Sequence, residues 1–216
     1  QAFFVGYLAA KKMMDHQNSI TSIIGRTDIY LIDQIMKERY QPGEKILDAG
    51  CGGGRNMHWF IQNDFDIYGT DWSEAAILNL RNTYPQLPEE NFQISLVEKM
   101  PFSDNYFDHV IGSAVLHFAN NEQHFKEMLG EMIRVLKPGG SIFIRMTSDI
   151  GIENKVKLLS NGNHQIPDGS MRFLLTKSLL AICMQELSLS FLEPLKTVNV
   201  NDLRCMSTLV LMKEIQ

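Results

Sequence analysis

The segment ILDAGCGGGRN, residues 46–56, constrains the fold of this chain more than any other. Its apolar beginning predicts a buried strand over 45–49, and the glycines that follow predict a loop at the carboxyl end of that strand. Glycine allows positive φ angles and a close approach of the backbone to a ligand. Ligands of open parallel sheets lie beyond the carboxyl ends of the strands, so this loop is the first candidate for a binding site.

Strands and helices alternate from this loop to residue 146. The apolar patterns predict strands over 45–49, 66–70, 92–97, 107–115 and 141–146, and helices over 55–62, 73–82 and 122–136. Such alternation is typical of βαβ units and of a parallel sheet with helices on both faces. Two later β-rich runs, joined by Asn201 and Asp202, predict a hairpin that adds an antiparallel strand. The predicted fold is a Rossmann-like, doubly wound α/β sheet.

The length of the chain fits a single domain, residues 1–216, with a substantial core. A helix predicted over 27–40 is the main part of an N-terminal helical cap, residues 1–40. A polar, irregular run opens residues 147–173, and a long irregular segment in a compact domain is more often a functional loop than filler. We therefore expect a substrate lid over 147–173, with a helix over 171–187.

The composition excludes several classes of protein. A net charge of −5 without a block of Lys or Arg gives no support to nucleic acid or an anionic membrane as a partner. No apolar run approaches the ~18–20 residues of a membrane span. Three distant cysteines are too few for a disulfide framework and lack metal-ligand spacing, so no metal site is predicted and the cytoplasm is the expected location. Nothing in the sequence indicates an oligomeric state.

The spacing of the glycines separates the possible ligands of the loop. The order Asp48-x-Gly50-x-Gly52-x-Gly54 is followed by Arg55, where the dinucleotide fingerprint GxGxxG has its third glycine. The Gly-Lys-Ser/Thr ending of a phosphate-binding P-loop is also absent. A carboxylate beside the loop would repel a pyrophosphate and suits a ligand with a positive amino group. A tight turn without a ligand is the alternative.

A second acidic residue follows the next predicted strand. Asp71 lies 21 residues after Gly50, the spacing at which a carboxylate can accept both hydroxyls of a ribose. Trp72 can stack on a base or simply pack. An amino-acid-like group and a nucleoside without phosphate together indicate S-adenosylmethionine (SAM).

Residues 44–146 resemble the class I SAM-dependent methyltransferases, in particular their small-molecule, type 11-like members. ILDAGCGGG resembles the first motif of the family, IYGTD its acidic second motif, and EMIRVLKPGGSIFI the segment that runs through its fifth strand. VEKMPFSDNYFDHVIGSAVLHF resembles the region around its fourth strand. The resemblance implies a seven-stranded, mostly parallel sheet with one antiparallel strand. It also implies transfer of a methyl group from SAM to a small-molecule acceptor, which leaves S-adenosylhomocysteine.

The resemblance also implies which residues contact the cofactor. Around the methionine portion it places the loop residues and the end of the fourth strand, namely Asp48, Gly50, Cys51, Gly52, Gly54 and Ser113. It places Asp71 at the ribose, and Trp72, Val97 and Glu98 around the adenine. Many relatives carry an aspartate for the adenine amino group where this chain has Leu96. Either Glu98 substitutes for it or the backbone acts alone.

The sequence indicates less about the residues that would contact the methyl acceptor. His117 follows the fourth predicted strand, and an unperturbed pKa near 6.5 suits a general base, although a packing histidine is the alternative. The chain has no Asn/Asp-Pro-Pro-Tyr-type tetrad after the fourth predicted strand, where Gly112-Ser113-Ala114-Val115 stands instead. This argues against methylation of the amino group of adenine or of a glutamine amide. Position alone places four residues in the acceptor pocket wall, namely Tyr7, Phe118, Met146 and Arg172. A SAM-binding sensor or scaffold without catalysis, and a nicotinamide-dependent oxidoreductase, are the alternative functions.

Overall fold

The computed structural model describes residues 19–159 and 162–215. Its strands are β1 (Lys45–Ala49), β2 (Asp66–Asp71), β3 (Phe92–Ile94), β4 (Phe107–Ser113), β5 (Leu136–Ser148), β6 (Lys157–Leu158), β7 (His164–Gln165), β8 (Met171–Arg172), β9 (Leu189–Phe191), β10 (Lys196–Val200) and β11 (Arg204–Lys213). Its α-helices are α1 (Ile20–Ile24), α2 (Ile29–Met36), α3 (His58–Gln62), α4 (Glu74–Thr83), α5 (Glu122–Val135) and α6 (Lys177–Glu186). Tyr7 and the rest of the first 18 residues of the predicted cap lie outside the described residues.

The central sheet has the order β3-β2-β1-β4-β5-β11-β10, and β9 also pairs with β11. The strands from β3 to β5 in this order are parallel to one another. Strand β11 is antiparallel to β5, β9 and β10. The predicted doubly wound sheet with one antiparallel strand is therefore confirmed. The sheet has eight strands and not seven, because β9 and β10 share one position along the same edge of β11.

The strand order reverses at β1. This strand pairs with β2 on one side and with β4 on the other, so the helices that follow β1 and β4 lie on opposite faces of the sheet. The two faces have separate cores, because successive side chains of a strand point to opposite sides. Ile46 and Ile111 pack in one core with Phe60, whereas Leu47 and Val110 pack in the other.

Several element boundaries differ from the sequence expectation. The helix predicted over 171–187 begins only at Lys177, after the N-cap Thr176, because Met171 and Arg172 pair with β7 instead. The helix predicted from 55 begins at His58, and the strand predicted over 92–97 ends at Ile94. Local apolar patterns cannot separate a short strand from the first turn of a helix, which accounts for the first of these errors.

The segment predicted to be irregular contains a second, small sheet. Strands β6, β7 and β8 pair in sequence as an antiparallel meander. The chain then returns to the main sheet, where Ser148 and Leu175 form a parallel bridge. Among residues 19–159 and 162–215, no helix is long and apolar enough to span a lipid bilayer.

Two glycines with opposite surroundings test the packing of this fold. A Cβ at Gly140, in the turn within β5, would lie 2.6 Å from the Asp108 carbonyl oxygen and 2.9 Å from that of Lys137. A Cβ at Gly130 in α5 would meet nothing within 4 Å. We expect Gly140→Ala to lower the free energy of unfolding by about 1–3 kcal/mol, because backbone atoms would have to move.

Gly130→Ala is the matched control, and we expect it to raise the same free energy by about 0.5–1 kcal/mol, since alanine favours a helix. Urea unfolding followed by circular dichroism measures both changes. Equal midpoints for Gly140→Ala and the wild type would contradict the close packing described for this turn.

Candidate cofactor and active site

The loop after β1 takes a course that requires glycine. Gly50, Gly52 and Gly54 have φ angles of 72°, 52° and 74°, all in the left-handed region. A Cβ at Gly50 would lie 2.5 Å from Val115 Cγ2, and one at Gly54 would lie 2.5 Å from Leu80 Cδ2. At Gly52 the space within 4 Å is empty. The loop is thus packed closely at two points and presents bare backbone between them.

Asp71 joins the end of β2 to this loop. Its Oδ2 accepts a hydrogen bond from the Gly52 N–H (2.8 Å), and its Oδ1 accepts one from the Ser73 N–H (2.9 Å). Ser73 itself caps α4, because its Oγ accepts the Ala76 N–H. The carboxylate of Asp71 therefore does more than cap a helix. Each of its oxygens keeps lone-pair capacity for a hydroxyl donor.

Asp48 is a buried carboxylate with an unsatisfied oxygen. Only 1% of the residue is exposed, and its Oδ2 has no hydrogen-bond partner among the described residues. Burial raises its pKa to about 7; the charge of Asp71 acts in the same direction, and Arg55 opposes both. Such a group is costly unless a cation or a donor reaches it. Asp48 lies behind the loop, outside the lining of the cavities described next.

Two cavities meet at the loop. The first, of about 300 Å³, lies beyond β2 and β3, and five of the predicted contacts line it, namely Gly50, Asp71, Trp72, Val97 and Glu98. The second, of about 540 Å³, is lined by the loop, including Cys51, Gly52 and Gly54, and by Arg55 and Ser113. Gly50 and Ala114 line both. We call the first cavity the apolar cavity, because its lining includes Trp72, Leu96, Phe118 and Met128. We call the second the polar cavity, because its lining includes Arg26, Arg55 and His58.

Cys51 has the environment of an unreactive thiol. Its side chain is buried, and burial together with Asp48 and Asp71 raises its pKa well above the usual range. A protonated thiol is a poor nucleophile. The environment of Cys51 therefore favours the role of a small loop residue over that of a nucleophile.

The structure adds a group of charged residues that the sequence analysis missed. Arg55 Nη2 donates to Ser113 Oγ (3.0 Å) and lies 3.7 Å from Asp28 Oδ2. The same Asp28 oxygen accepts a hydrogen bond from Arg145 Nη1 (2.7 Å). One buried carboxylate at the start of α2 thus holds two guanidinium groups beside the polar cavity. The sequence offered Arg55 as a signal, but not its partners at distant positions.

Ala114 carries backbone strain at the junction of the two cavities. Its φ angle is 63°, which is unusual for a residue other than glycine, and its N–H donates to the Arg145 carbonyl oxygen (2.7 Å). Strained residues of this kind cluster at ligand sites.

His117 lies apart from both cavities. It is 7% exposed, its Nδ1 has no partner among the described residues, and burial with the nearby charge of Arg172 lowers its pKa to about 4. Of the predicted acceptor wall, Phe118 lines the apolar cavity with Arg172 over its ring, whereas Met146 is buried in the core. The geometry favours a packing role for His117, and its role as a general base stays a prediction.

Sequence comparison identifies the domain. Residues 47–144 match the profile described as a methyltransferase domain. An uncharacterized methyltransferase of Synechocystis sp. is 34% identical over 99 residues, which are 46% of this chain and 45% of that protein. A demethylmenaquinone methyltransferase of Anoxybacillus flavithermus is 31% identical over 152 residues, which are 64% of this chain and 60% of that protein.

Residues 47–144 thus resemble methyltransferase domains, and the chain has the fold of a solved SAM-dependent methyltransferase of Methanosarcina mazei. The chain spans about half the length of the curated relatives it matches. The chain also has the fold of a Burkholderia thailandensis 1,6-didemethyltoxoflavin-N1-methyltransferase, whose crystal structure contains 1,6-didemethyltoxoflavin and S-adenosylhomocysteine. The TM-score is 0.67 at 14% identity, over 99% of this chain and 90% of that one. In the described part of the chain, no group of three or more His, Cys, Asp or Glu residues could hold a metal ion.

The lowered pKa of His117 predicts acid sensitivity. The folded protein keeps this ring neutral down to about pH 4, whereas the unfolded chain protonates it near pH 6.5. The unfolded state therefore binds more protons between these values, and the free energy of unfolding falls as the pH is lowered through this window. His109 and His164 act in the same direction.

When the pH is lowered from 7.5 to 5, we expect the free energy of unfolding to fall less in His117→Phe than in the wild type. The difference should be on the order of 2 kcal/mol. Urea unfolding at both pH values measures the difference, and each protein serves as its own control at pH 7.5. An identical pH dependence of the two proteins would contradict a neutral, buried His117.

Proposed function

We propose that this protein transfers the methyl group of SAM to a small-molecule acceptor, and that SAM binds across the two cavities. The observation that carries the proposal is the pair of carboxylates near the glycine loop, Asp48 near the end of β1 and Asp71 at the end of β2. Asp48 is buried and its Oδ2 has no hydrogen-bond partner among the described residues, which disfavours a pyrophosphate and favours a cationic ligand group.

The residues present fit each part of this cofactor. The apolar cavity of about 300 Å³ has room for a nucleoside, with Trp72 and Val97 as walls for a base and Asp71 at its edge as an acceptor for ribose hydroxyls. Asp48 lies behind the loop, where it can neutralise the charge of the methionine amino group. Arg55 and Ser113 in the polar cavity can donate to the carboxylate of the same moiety.

Bound SAM would supply a methyl group on a positively charged sulfur, which is electrophilic without further activation. The contribution of this chain is then mainly orientation. Gly50 and Ala114 border both cavities, so the backbone at these residues limits the path of a ligand that extends from one cavity to the other. Holding reactants in line is worth several kcal/mol of a barrier. His117 could accept a proton only if the acceptor reached it past the ring of Phe118, 4.5 Å away.

Two observations support a small acceptor. The chain carries no block of basic residues that would bind nucleic acid, and its net charge is −5. The named relatives include a demethylmenaquinone methyltransferase, and a neighbour in fold was crystallised with 1,6-didemethyltoxoflavin. The small sheet of β6–β8 and the N-terminal helices remain our candidates for the lid and the cap. A cytoplasmic location also stays a prediction.

Titration calorimetry with SAM tests the proposal. We expect the wild type to bind SAM, and Asp71→Asn to bind it at least about 10-fold more weakly. The substitution removes a negative charge that accepts hydrogen bonds from two backbone N–H groups and, in the proposed complex, from the ribose hydroxyls. Glu74→Gln, an exposed change in the first turn of α4, is the matched control and should bind as the wild type does.

A screen of small-molecule acceptors for release of S-adenosylhomocysteine completes the test. Binding of SAM without release from any acceptor would favour a sensor or scaffold. Stabilisation by NADH with none by SAM would favour the oxidoreductase.

The raised pKa of Asp48 gives a further prediction. At pH 6.5 the free protein holds a proton on this carboxyl in more than half of the molecules, since its pKa is about 7. A cationic amino group bound nearby lowers that pKa, so binding should release about 0.5–0.8 proton per SAM. Calorimetry in two buffers of different ionisation enthalpy measures the release, and Asp48→Asn should abolish it. Binding heats that do not depend on the buffer would contradict this assignment.

A further inference from the structure

Another cavity, of about 530 Å³, lies at the opposite end of β2 from the glycine loop. Asp66 and Tyr68, in the first half of this strand, line it, whereas Asp71 at the end of the strand lines the apolar cavity. The distance along a strand from residue 66 to residue 71 is about 16 Å. None of the residues that line this cavity lines the apolar or the polar cavity. A ligand bound here would therefore be distinct from the proposed cofactor and from its methyl acceptor.

The cavity forms where one connection of the fold has no helix. Residues 95–106, all of which the structure describes, join β3 to β4 without a helix. Tyr68 therefore packs against side chains of this loop, and the ring centroids of Phe102 and Tyr106 lie 6.0 Å and 5.8 Å from its own. The rings of Phe102 and Tyr106 are nearly parallel, with an angle of 8° between them. These three rings give the cavity an aromatic wall, and its volume is that of a small-molecule site.

The polar atoms left open in this cavity are mainly acceptors. Asp66 and Glu90 line it, and neither forms a salt bridge with a described residue. Asn91 is 5% exposed, and its Nδ2 donates to the Ile67 carbonyl oxygen (3.0 Å), which leaves Oδ1 without a donor in the described chain. Gln93 Nε2 donates to the Glu90 carbonyl oxygen (2.7 Å). The side-chain amide donors are thus used within the protein, whereas amide and carboxylate oxygens are left for a ligand.

The charge of this cavity is negative. In the described part of the chain, no lysine, arginine or histidine lines it. The chain already places one ammonium group against the aromatic wall, since Lys45 Nζ lies 4.0 Å from the ring centroid of Tyr106. Lys45 can balance only one of the two carboxylates. Negative charge, acceptor oxygens and aromatic rings together complement a protonated amine on an apolar body.

We propose that this cavity, which we call the amine cavity, binds a small organic amine in its protonated form. The ammonium group lies between Asp66 and Glu90, and Asn91 Oδ1 accepts one of its hydrogen bonds. The apolar body of the amine packs on the rings of Tyr68 and Phe102. A primary or secondary amine suits these oxygens better than a quaternary ammonium, which has no N–H to donate. This site does not depend on the proposed binding of SAM.

Titration of the full chain with 2-phenylethylamine, followed in amide-resolved NMR spectra, tests the proposal. We expect a dissociation constant of about 0.1–1 mM for a ligand of this size, with shifts at the amides of residues 66–68, 90–93 and 102–106. The alcohol 2-phenylethanol has the same apolar body without a charge. We expect it to bind at least about 10-fold more weakly, because the carboxylates of the cavity then lack a cation.

Variants of the two carboxylates test their role. The double variant Asp66→Asn/Glu90→Gln keeps the shape of both side chains, and it should bind 2-phenylethylamine about 10-fold more weakly while binding 2-phenylethanol as before. Glu89→Gln is the matched control, because this exposed carboxylate precedes Glu90 in sequence but does not line the cavity. It should leave both affinities unchanged. Amide spectra without ligand show that each variant is folded.

Four outcomes would overturn the assignment. Equal affinity for the amine and the alcohol would leave only an apolar contact, and unchanged binding in the double variant would remove the carboxylates from the site. An absence of shifts, or shifts at residues 50–54 instead, would show that the amine binds nowhere or in the polar cavity. Binding of SAM is measured separately, so each of these results would leave the proposed function intact.

Discussion

The site depends on the path of the backbone over residues 50–54. Three positive φ angles within five residues turn the chain from β1 toward α3 so sharply that Gly50 contacts Val115 and Gly54 contacts Leu80. A side chain at either position would push the loop away from the ends of β2 and β4. The Gly52 N–H could then no longer reach Asp71, and the two cavities would lose their shared wall.

Carboxylates surround this loop in three different electrostatic states. Asp71 accepts two backbone N–H groups, Asp28 contacts two arginines, and Asp48 has an oxygen without a partner. Burial disfavours the charged form of Asp48 and raises its pKa to about 7. The site thus contains one buried carboxyl group whose compensation is left to a ligand, and it lies beside a loop that has room for one. A phosphate-binding loop lacks such a buried carboxyl group beside it, because a carboxylate would repel the phosphate.

The sequence predicted those parts of the structure that depend on neighbours along the chain. Strand β1 and the helix predicted over 73–82 follow from local patterns, and the structure has both, as β1 (Lys45–Ala49) and α4 (Glu74–Thr83). The predicted beginning of the helix at residue 171 was wrong, because Met171 and Phe173 suit a strand as well as a helix. Its true beginning at Lys177 is decided by pairing with β7, a contact that no local pattern records.

The same distinction explains why the family can be recognised from the sequence but the acceptor cannot. The cofactor side is built from a loop and strand ends, where backbone geometry imposes glycine and acidic residues at fixed spacing. The remaining walls come from side chains brought together over long distances, such as Arg55 with Asp28 and Phe118 with Arg172. Their identity depends on the shape of one acceptor, and many combinations of residues satisfy the fold equally well. Residues that act through local backbone geometry therefore leave a strong pattern in the chain, whereas walls assembled from distant side chains leave one only in three dimensions.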